Sequence, residues 1–278
     1  MIEFTDVSFR YKHSGIDALR NVTLSLGEGI HLLLGENGAG KTTFLHLVST
    51  LLLPTKGAIW VDGKRTSDRL PSTLRSIYFV GDNEELPADT IDAMARLHGS
   101  VFYPRFNPSM LAENMAAFGV DPSTPINGMS LGQRKKALAA YALSLGADIL
   151  LLDEPANGLD IGSRLTLRNL MARCVDPVQT VIVSTHTTAD LQPLFDGLIM
   201  LRRGSLLFSS STAELSARLG FGIFNIPPRN ALFTMNDIGR FRSITPADPE
   251  VPTEIDIHLL YSAMHSQEAL PILNLIKS

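Results

Sequence analysis

The stretch Ile30–Val48 reads IHLLLGENGAGKTTFLHLV, and its reading decides the fold. The mostly apolar run from Ile30 to Leu34 predicts a strand buried on both faces, and an apolar helix is predicted further along the stretch. Between them lies a glycine-rich loop of the phosphate-binding pattern, in the strand–loop–helix context that the pattern requires. Successive backbone N–H groups of Gly35, Glu36, Asn37, Gly38, Ala39 and Gly40 can turn inward around the β- and γ-phosphates of a nucleotide. The helix adds its positive end, Lys41 adds a point charge, and Thr42 is placed to ligate Mg²⁺ through its hydroxyl. Thr43 closes this set of candidate nucleotide contacts.

Buried apolar runs recur at ILLLD (Ile149 to Asp153), TVIVSTH (Thr180 to His186) and GLIML (Gly197 to Leu201), separated by segments of helical length. They predict an α/β fold with a mostly parallel sheet covered by helices on both faces. Ahead of the loop, alternation in Met1 to Arg10 and again around Ala18 to Leu26 predicts a small antiparallel β-layer. From about residue 87 to 146 helix-forming residues are broken by Pro104, Pro108, Pro122 and Pro125, which predicts an inserted helical subdomain. After Arg218 the chain turns proline-rich and irregular through NIPPRN and TPADPEVPTE, before the alternating stretch EIDIHLL. The expected division is therefore 1–217 for the main domain and 218–278 for a small carboxy-terminal appendage.

With 278 residues and 45% hydrophobic content the chain can bury a substantial core. A formal net charge of -4 and the lack of a Lys/Arg block argue against nucleic acid and anionic lipid as partners. The single cysteine, Cys174, cannot form an intramolecular disulfide, and MIEFTDVSFRYKH does not carry the basic-then-apolar pattern of an export signal. A cytoplasmic protein is the expectation. The longest apolar stretch near the loop, Phe44 to Pro54, falls short of the roughly 18 to 20 residues that span a bilayer, so any membrane crossing is left to other subunits.

A second motif, LLLDEP (Leu150 to Pro155), ends a predicted buried strand with two successive carboxylates. Asp153 sits where a carboxylate can hold the hydration shell of Mg²⁺, and Glu154 can point at the water that attacks a γ-phosphate. Between the two motifs lies MSLGQRKK (Met129 to Lys136), where Ser130 can cap a helix whose amino terminus, with the Gly132 backbone, presents donors to an anion.

Taken with MSLGQRKK, the chain resembles the ATPases of ABC transporters, whose signature sequence is of Leu-Ser-Gly-Gly-Gln type; the resemblance spans roughly residues 1–217. It implies that Ser130, Gly132 and Gln133 bind the nucleotide held by a second chain. ANGLD (Ala156 to Asp160) resembles the D-loop, which brings in Asp160, and His186 resembles the switch histidine on the γ-phosphate. Tyr11 resembles the aromatic residue on which adenine stacks. The resemblance implies ATP with Mg²⁺, a head-to-tail homodimer or heterodimer with a second such ATPase chain, and integral membrane transporter subunits. It places the protein peripherally on the inner face of the cell membrane.

The sequence departs from the family pattern in three places. Asp82 stands where the family has glutamine, as a further candidate metal ligand that adds negative charge near Glu154. Leu131 replaces the first signature glycine, and the insert between Lys41 and Ser130 is short, most like ATPases of bacterial ABC-2 type exporters. Export is the first reading. A soluble, non-transport ABC ATPase acting as a mechanical clamp is the alternative, and a regulatory subunit of slow turnover, resting on Asp82, is a third.

Overall fold

The computed structural model describes residues 1–81, 88–185 and 190–277. In chain order, the first layer is built by β1 (Ile2–Phe9) and β2 (Leu19–Leu26). The nucleotide-loop unit follows as β3 (Gly29–Leu34) and α1 (Lys41–Val48), then β4 (Lys56–Val61) and β5 (Lys64–Arg65), which return to the first layer. Next come α2 (Pro71–Ser76), β6 (Ile77–Val80) and the helical insert with α3 (Ile91–Met94), α4 (Ser100–Phe102), α5 (Pro108–Phe118) and α6 (Leu131–Ser144). The core resumes with β7 (Ile149–Asp153), α7 (Ile161–Cys174), β8 (Thr180–Ser184), β9 (Gly197–Arg202), β10 (Ser205–Ser211) and α8 (Thr212–Arg218). The chain closes with β11 (Leu219–Phe224), β12 (Phe233–Asp237), β13 (Arg240–Pro246), α9 (Ile257–Met264) and α10 (Ala269–Lys277).

Among the described residues these strands form three sheets. The central one runs β10-β9-β3-β8-β7-β6, with β9, β3, β8, β7 and β6 parallel and β10 antiparallel at the edge. The second, β2-β1-β4-β5, is antiparallel throughout. This is the α/β nucleotide-binding architecture with an antiparallel subdomain and an inserted helical subdomain that the sequence predicts.

Side-chain alternation in the central strands separates two cores. Leu33, Leu151, Ile182 and Ile199 face α1 and the antiparallel layer, whereas Leu32, Leu34, Leu150, Leu152, Val181 and Val183 face the helical insert and the chain's last elements. Phe44 of α1 is fully buried and stacks on Phe4 of β1, with ring centroids 4.6 Å apart and planes 4° from parallel. Truncating it to alanine removes the pillar between the two sheets and costs about 3–5 kcal/mol.

The last elements hold the main difference from the sequence reading. The irregular, proline-bearing region after Arg218 contains an antiparallel sheet of order β11-β13-β12. The alternation in EIDIHLL belongs to no strand: Asp256 caps α9 by accepting from the Leu259 N–H, and the helix starts at Ile257. Ile244, Leu259, Leu260, Ile272 and Ile276 share a core with Leu215 and Phe208 of the preceding elements.

Candidate active site

The site grows from the turn between β3 and α1. Gly40 is the N-cap of α1 with φ 103°, in the left-handed region that favours glycine. A Cβ there would lie 2.6 Å from the Ala18 carbonyl oxygen, so the loop is seated directly on the antiparallel layer. No side chain caps α1, which leaves its first N–H groups available to an anion.

Lys41 is buried, with 8% of its surface exposed, and its Nζ donates to the carbonyls of Gly35 at 2.7 Å and Glu36 at 3.3 Å. The ammonium is thus held within the curve of the loop before any phosphate arrives. A buried charge in such a place is costly unless several acceptors surround it, and the loop carbonyls meet part of that need.

The two predicted oxygen ligands of Mg²⁺ are together. Thr42 Oγ1 donates to Asp153 Oδ2 at 2.7 Å across the junction of α1 and the end of β7. A hydroxyl and a carboxylate at this spacing fit a hard divalent cation that keeps most of its waters and takes phosphate oxygens for the rest. Ser184 at the end of β8 donates through Oγ to the other oxygen, Asp153 Oδ1. Register explains the meeting, because Asp153 and Ser184 are direct partners in the parallel pairing of β7 with β8. The sequence reading quoted Ser184 within TVIVSTH and gave it no role.

Glu154 leaves the strand at φ 49°, a left-handed conformation uncommon for residues other than glycine. Its N–H donates to the Ser184 carbonyl at 2.9 Å, and its carbonyl accepts from Lys135 Nζ of α6 at 3.2 Å. The backbone is therefore pinned from both sides at the point where the predicted catalytic carboxylate leaves the sheet.

Tyr11 lies at the edge of the loop. Its hydroxyl is 3.0 Å from Thr43 Oγ1, its ring meets Phe9 edge-on at 4.8 Å, and it is 44% exposed. A platform for an adenine ring needs such an exposed aromatic beside the phosphate cradle.

The second motif forms a separate, more open patch. Ser130 caps α6 in a reciprocal box: its Oγ accepts from the Gln133 N–H at 3.3 Å, and Gln133 Oε1 accepts from the Ser130 N–H at 2.9 Å. Gly132 faces the carbonyl of Gly158 in the ANGLD turn. Asp160 caps α7 by accepting from the Ser163 N–H and Oγ at 2.8 and 2.7 Å, and it lies 3.5 Å from Lys136 Nζ of α6. The Ser163 hydrogen bonds first, and the lysine charge with them, hold the Asp160 carboxyl down to about 2. The signature helix and the D-loop helix are therefore tied to each other within one chain. Asp82 and His186 lie outside the described residues.

The sequence profile of the family described as ABC transporter matches residues 19–157, half of the chain. The chain is similar to the ABC transporter ATP-binding protein NatA of Bacillus subtilis (strain 168), 32% identical over 228 residues that cover 77% of this chain and 91% of that protein. An ATP-dependent lipid A-core flippase of Polaromonas sp. (strain JS666 / ATCC BAA-500) is 31% identical over 229 residues, 79% of this chain and 38% of that protein. Among solved structures, the ATP-binding cassette MJ0796, as a post-hydrolysis dimer bound to ADP and Pi, superposes with a TM-score of 0.65 at 25% identity, over 76% of this chain and 98% of that one. Among the described residues, no helix is long and apolar enough to cross a membrane.

Proposed function

This chain belongs to the ABC transporter family and is an ATP-binding ATPase, and we propose that it powers export across the cytoplasmic membrane as the nucleotide-binding subunit of a complex with separate transmembrane subunits. The observation that carries the reading is the meeting of Thr42, Asp153 and Ser184 at the mouth of a loop that already curls around Lys41. That arrangement has the chemistry of a site for the polyphosphate of ATP with Mg²⁺.

In the proposed mechanism the loop N–H groups and the free N–H groups of α1 receive the phosphates, and Lys41 bridges toward the γ-phosphate from its place against Gly35 and Glu36. Thr42 and Asp153 would hold Mg²⁺, which would supply positive charge to offset that of the phosphates. Glu154, aimed by its constrained backbone, orients the attacking water and accepts its proton. Tyr11 supports the adenine. His186 keeps the role at the γ-phosphate that the resemblance implies, and Asp82, in place of the family's glutamine, that of a candidate metal ligand.

Ser130, Gly132 and Gln133 serve the ATP held by a second ATPase chain, related or identical. Leu131, Ile161 and Leu165 leave 57%, 82% and 46% of their surfaces open around Ser130 and Asp160, which supports an apposing subunit there. ATP joins the two chains and hydrolysis releases them. Export, in preference to import, rests on the short insert between Lys41 and Ser130. The proposed division remains a main domain of 1–217 and an appendage of 218–278, with the complex seated on the inner face of the membrane.

Gentle-detergent purification of the tagged protein tests the assignment. Recovery of a polytopic membrane protein, with ATPase activity lost in Lys41→Ala, supports it; a soluble partner alone moves the protein to the clamp class. A compound that accumulates inside cells carrying Lys41→Ala supports export, and one that disappears from them reverses the direction.

A further inference from the structure

The last helices of the chain reach back to the phosphate loop. At the end of β9, the Leu201 carbonyl lies so close beneath Gly35 that a Cβ there would approach it to 2.6 Å. The next residue, Arg202, donates through Nη1 to the carbonyl of Met264, the last residue of α9, at 3.0 Å. One strand end thus supports the start of the loop and the end of the appendage helix together.

His265, which follows that helix, faces the loop. Its Nδ1 is 2.8 Å from the Tyr261 carbonyl, and since a carbonyl only accepts, this nitrogen carries a proton. The ring also packs on Tyr261, with centroids 4.3 Å apart. Nε2 is buried, has no hydrogen-bond partner, and lies 3.6 Å from Oε1 of Glu36. That is about half an ångström beyond an ordinary hydrogen bond. The two groups stand at the distance of an ion pair.

Glu36 is the residue through which such a contact reaches the chemistry. Its carbonyl accepts both the Ala39 N–H at 3.0 Å, closing the loop's turn, and Lys41 Nζ at 3.3 Å. Its side chain is the group that meets His265, while 55% of that side chain stays open to solvent. Holding the carboxylate therefore restrains the carbonyl that orients the lysine.

We propose that His265 is a positioning residue for ATP binding: it holds Glu36, and through the Glu36 carbonyl the Lys41 ammonium, so that the appendage sets the affinity of the phosphate loop. The proposal rests on the reading of the loop as the ATP site. The appendage lies beyond residue 157, where the family profile ends, so this control is a property of the chain outside the matched segment.

The test is steady-state ATPase kinetics and MgATP binding on the full chain in its complex. In His265→Ala, KM for ATP is expected to rise about fivefold, the worth of one partly exposed charge-assisted contact, with kcat changing less than about twofold. His265→Gln, which sets an amide donor toward the carboxylate, restores most of the affinity. Glu36→Ala raises KM, and the double variant His265→Ala/Glu36→Ala is no weaker than the poorer single one. Unchanged KM in His265→Ala, or effects of the two residues that multiply in the double variant, overturns the proposal. If His265→Ala does not fold, Glu36→Ala and Glu36→Gln read the same contact from the loop side, and an unchanged KM in both overturns it equally. Lys41→Ala separates the two readings: wild-type ATP affinity in that variant overturns the nucleotide site and this proposal with it. Lost affinity there beside an unaffected His265→Ala removes only the role of His265.

Discussion

The two halves of the proposed composite site are finished to different degrees within one chain. Around the phosphate loop the polar groups are buried and interlocked: Lys41 and Asp153 are each 8% exposed, and Ser184 is fully buried with its hydroxyl on Asp153. Around the signature helix Ser130, Gln133 and Asp160 are exposed, and their side chains are engaged in capping their own helices. The first half is preorganised by the fold. The second is a surface whose order comes from helix caps and whose apolar neighbours, Leu131 and Ile161, await a cover. Substitutions in the first half should therefore disable chemistry in each subunit, and substitutions in the second should act through assembly.

Glu154→Gln presses this contrast hardest. Turnover is expected to fall by about 10²–10⁴-fold with ATP binding retained, and size-exclusion chromatography with ATP should recover the dimer. Normal hydrolysis in this variant breaks the assignment of the first half. Ser184→Ala comes next, since it leaves one oxygen of a buried carboxylate without its donor. A stability loss of about 1–3 kcal/mol in urea unfolding is expected, with a raised Mg²⁺ requirement for hydrolysis. Ser130→Ala removes the cap of α6 and should cost about 1 kcal/mol of stability. Its turnover defect should be eased by raising protein concentration if the second half acts through assembly, and be indifferent to concentration if it does not.

The smallest effect is electrostatic. The Asp160 carboxyl is held down to about 2 from 3.8, so its charge contributes stability that is fully present above pH 4 and is lost as pH falls toward 2. Asp160→Asn keeps one capping oxygen for the Ser163 N–H and removes the charge and the second acceptor. The variant should be less stable than wild type at pH 6, with the gap closing by pH 2 in acid titrations followed by circular dichroism. A constant gap across that range breaks the idea that the Asp160 charge, held first by Ser163 and then by Lys136, adds stability.

Much of the first half was legible in the sequence because phosphate chemistry dictates residue types at fixed offsets. A loop that brings backbone N–H groups to an anion needs glycines, and a strand end that holds a cation needs an acid, so GENGAGKT and LLLDEP carry their geometry with them. The central strands were legible as apolar runs for a similar reason, being buried on both faces. What escaped was set by distance along the chain. The partnership of Ser184 with Asp153 depends on strand register, and that of His265 with Glu36 on the docking of α9; neither has a local pattern. Strands β11 to β13 were hidden by their setting, since they are short, partly exposed, and separated by proline-bearing or tight turns that break alternation. In EIDIHLL, read only as an alternating stretch, Asp256 starts a helix, an outcome that periodicity over seven residues cannot arbitrate.

The seat of Gly40 on the Ala18 carbonyl gives the site a gauge. Ala18 belongs to the same connection as Tyr11, being tied through its N–H to the carbonyl of Phe9 at 2.8 Å. Backbone against backbone, with no side chain between, sets how far Tyr11, the proposed base platform, stands from the loop. For the proposed nucleotide site such a caliper would set the span between base and phosphates: a ligand with the base and no phosphates, or with phosphates and no base, would touch one jaw but not both.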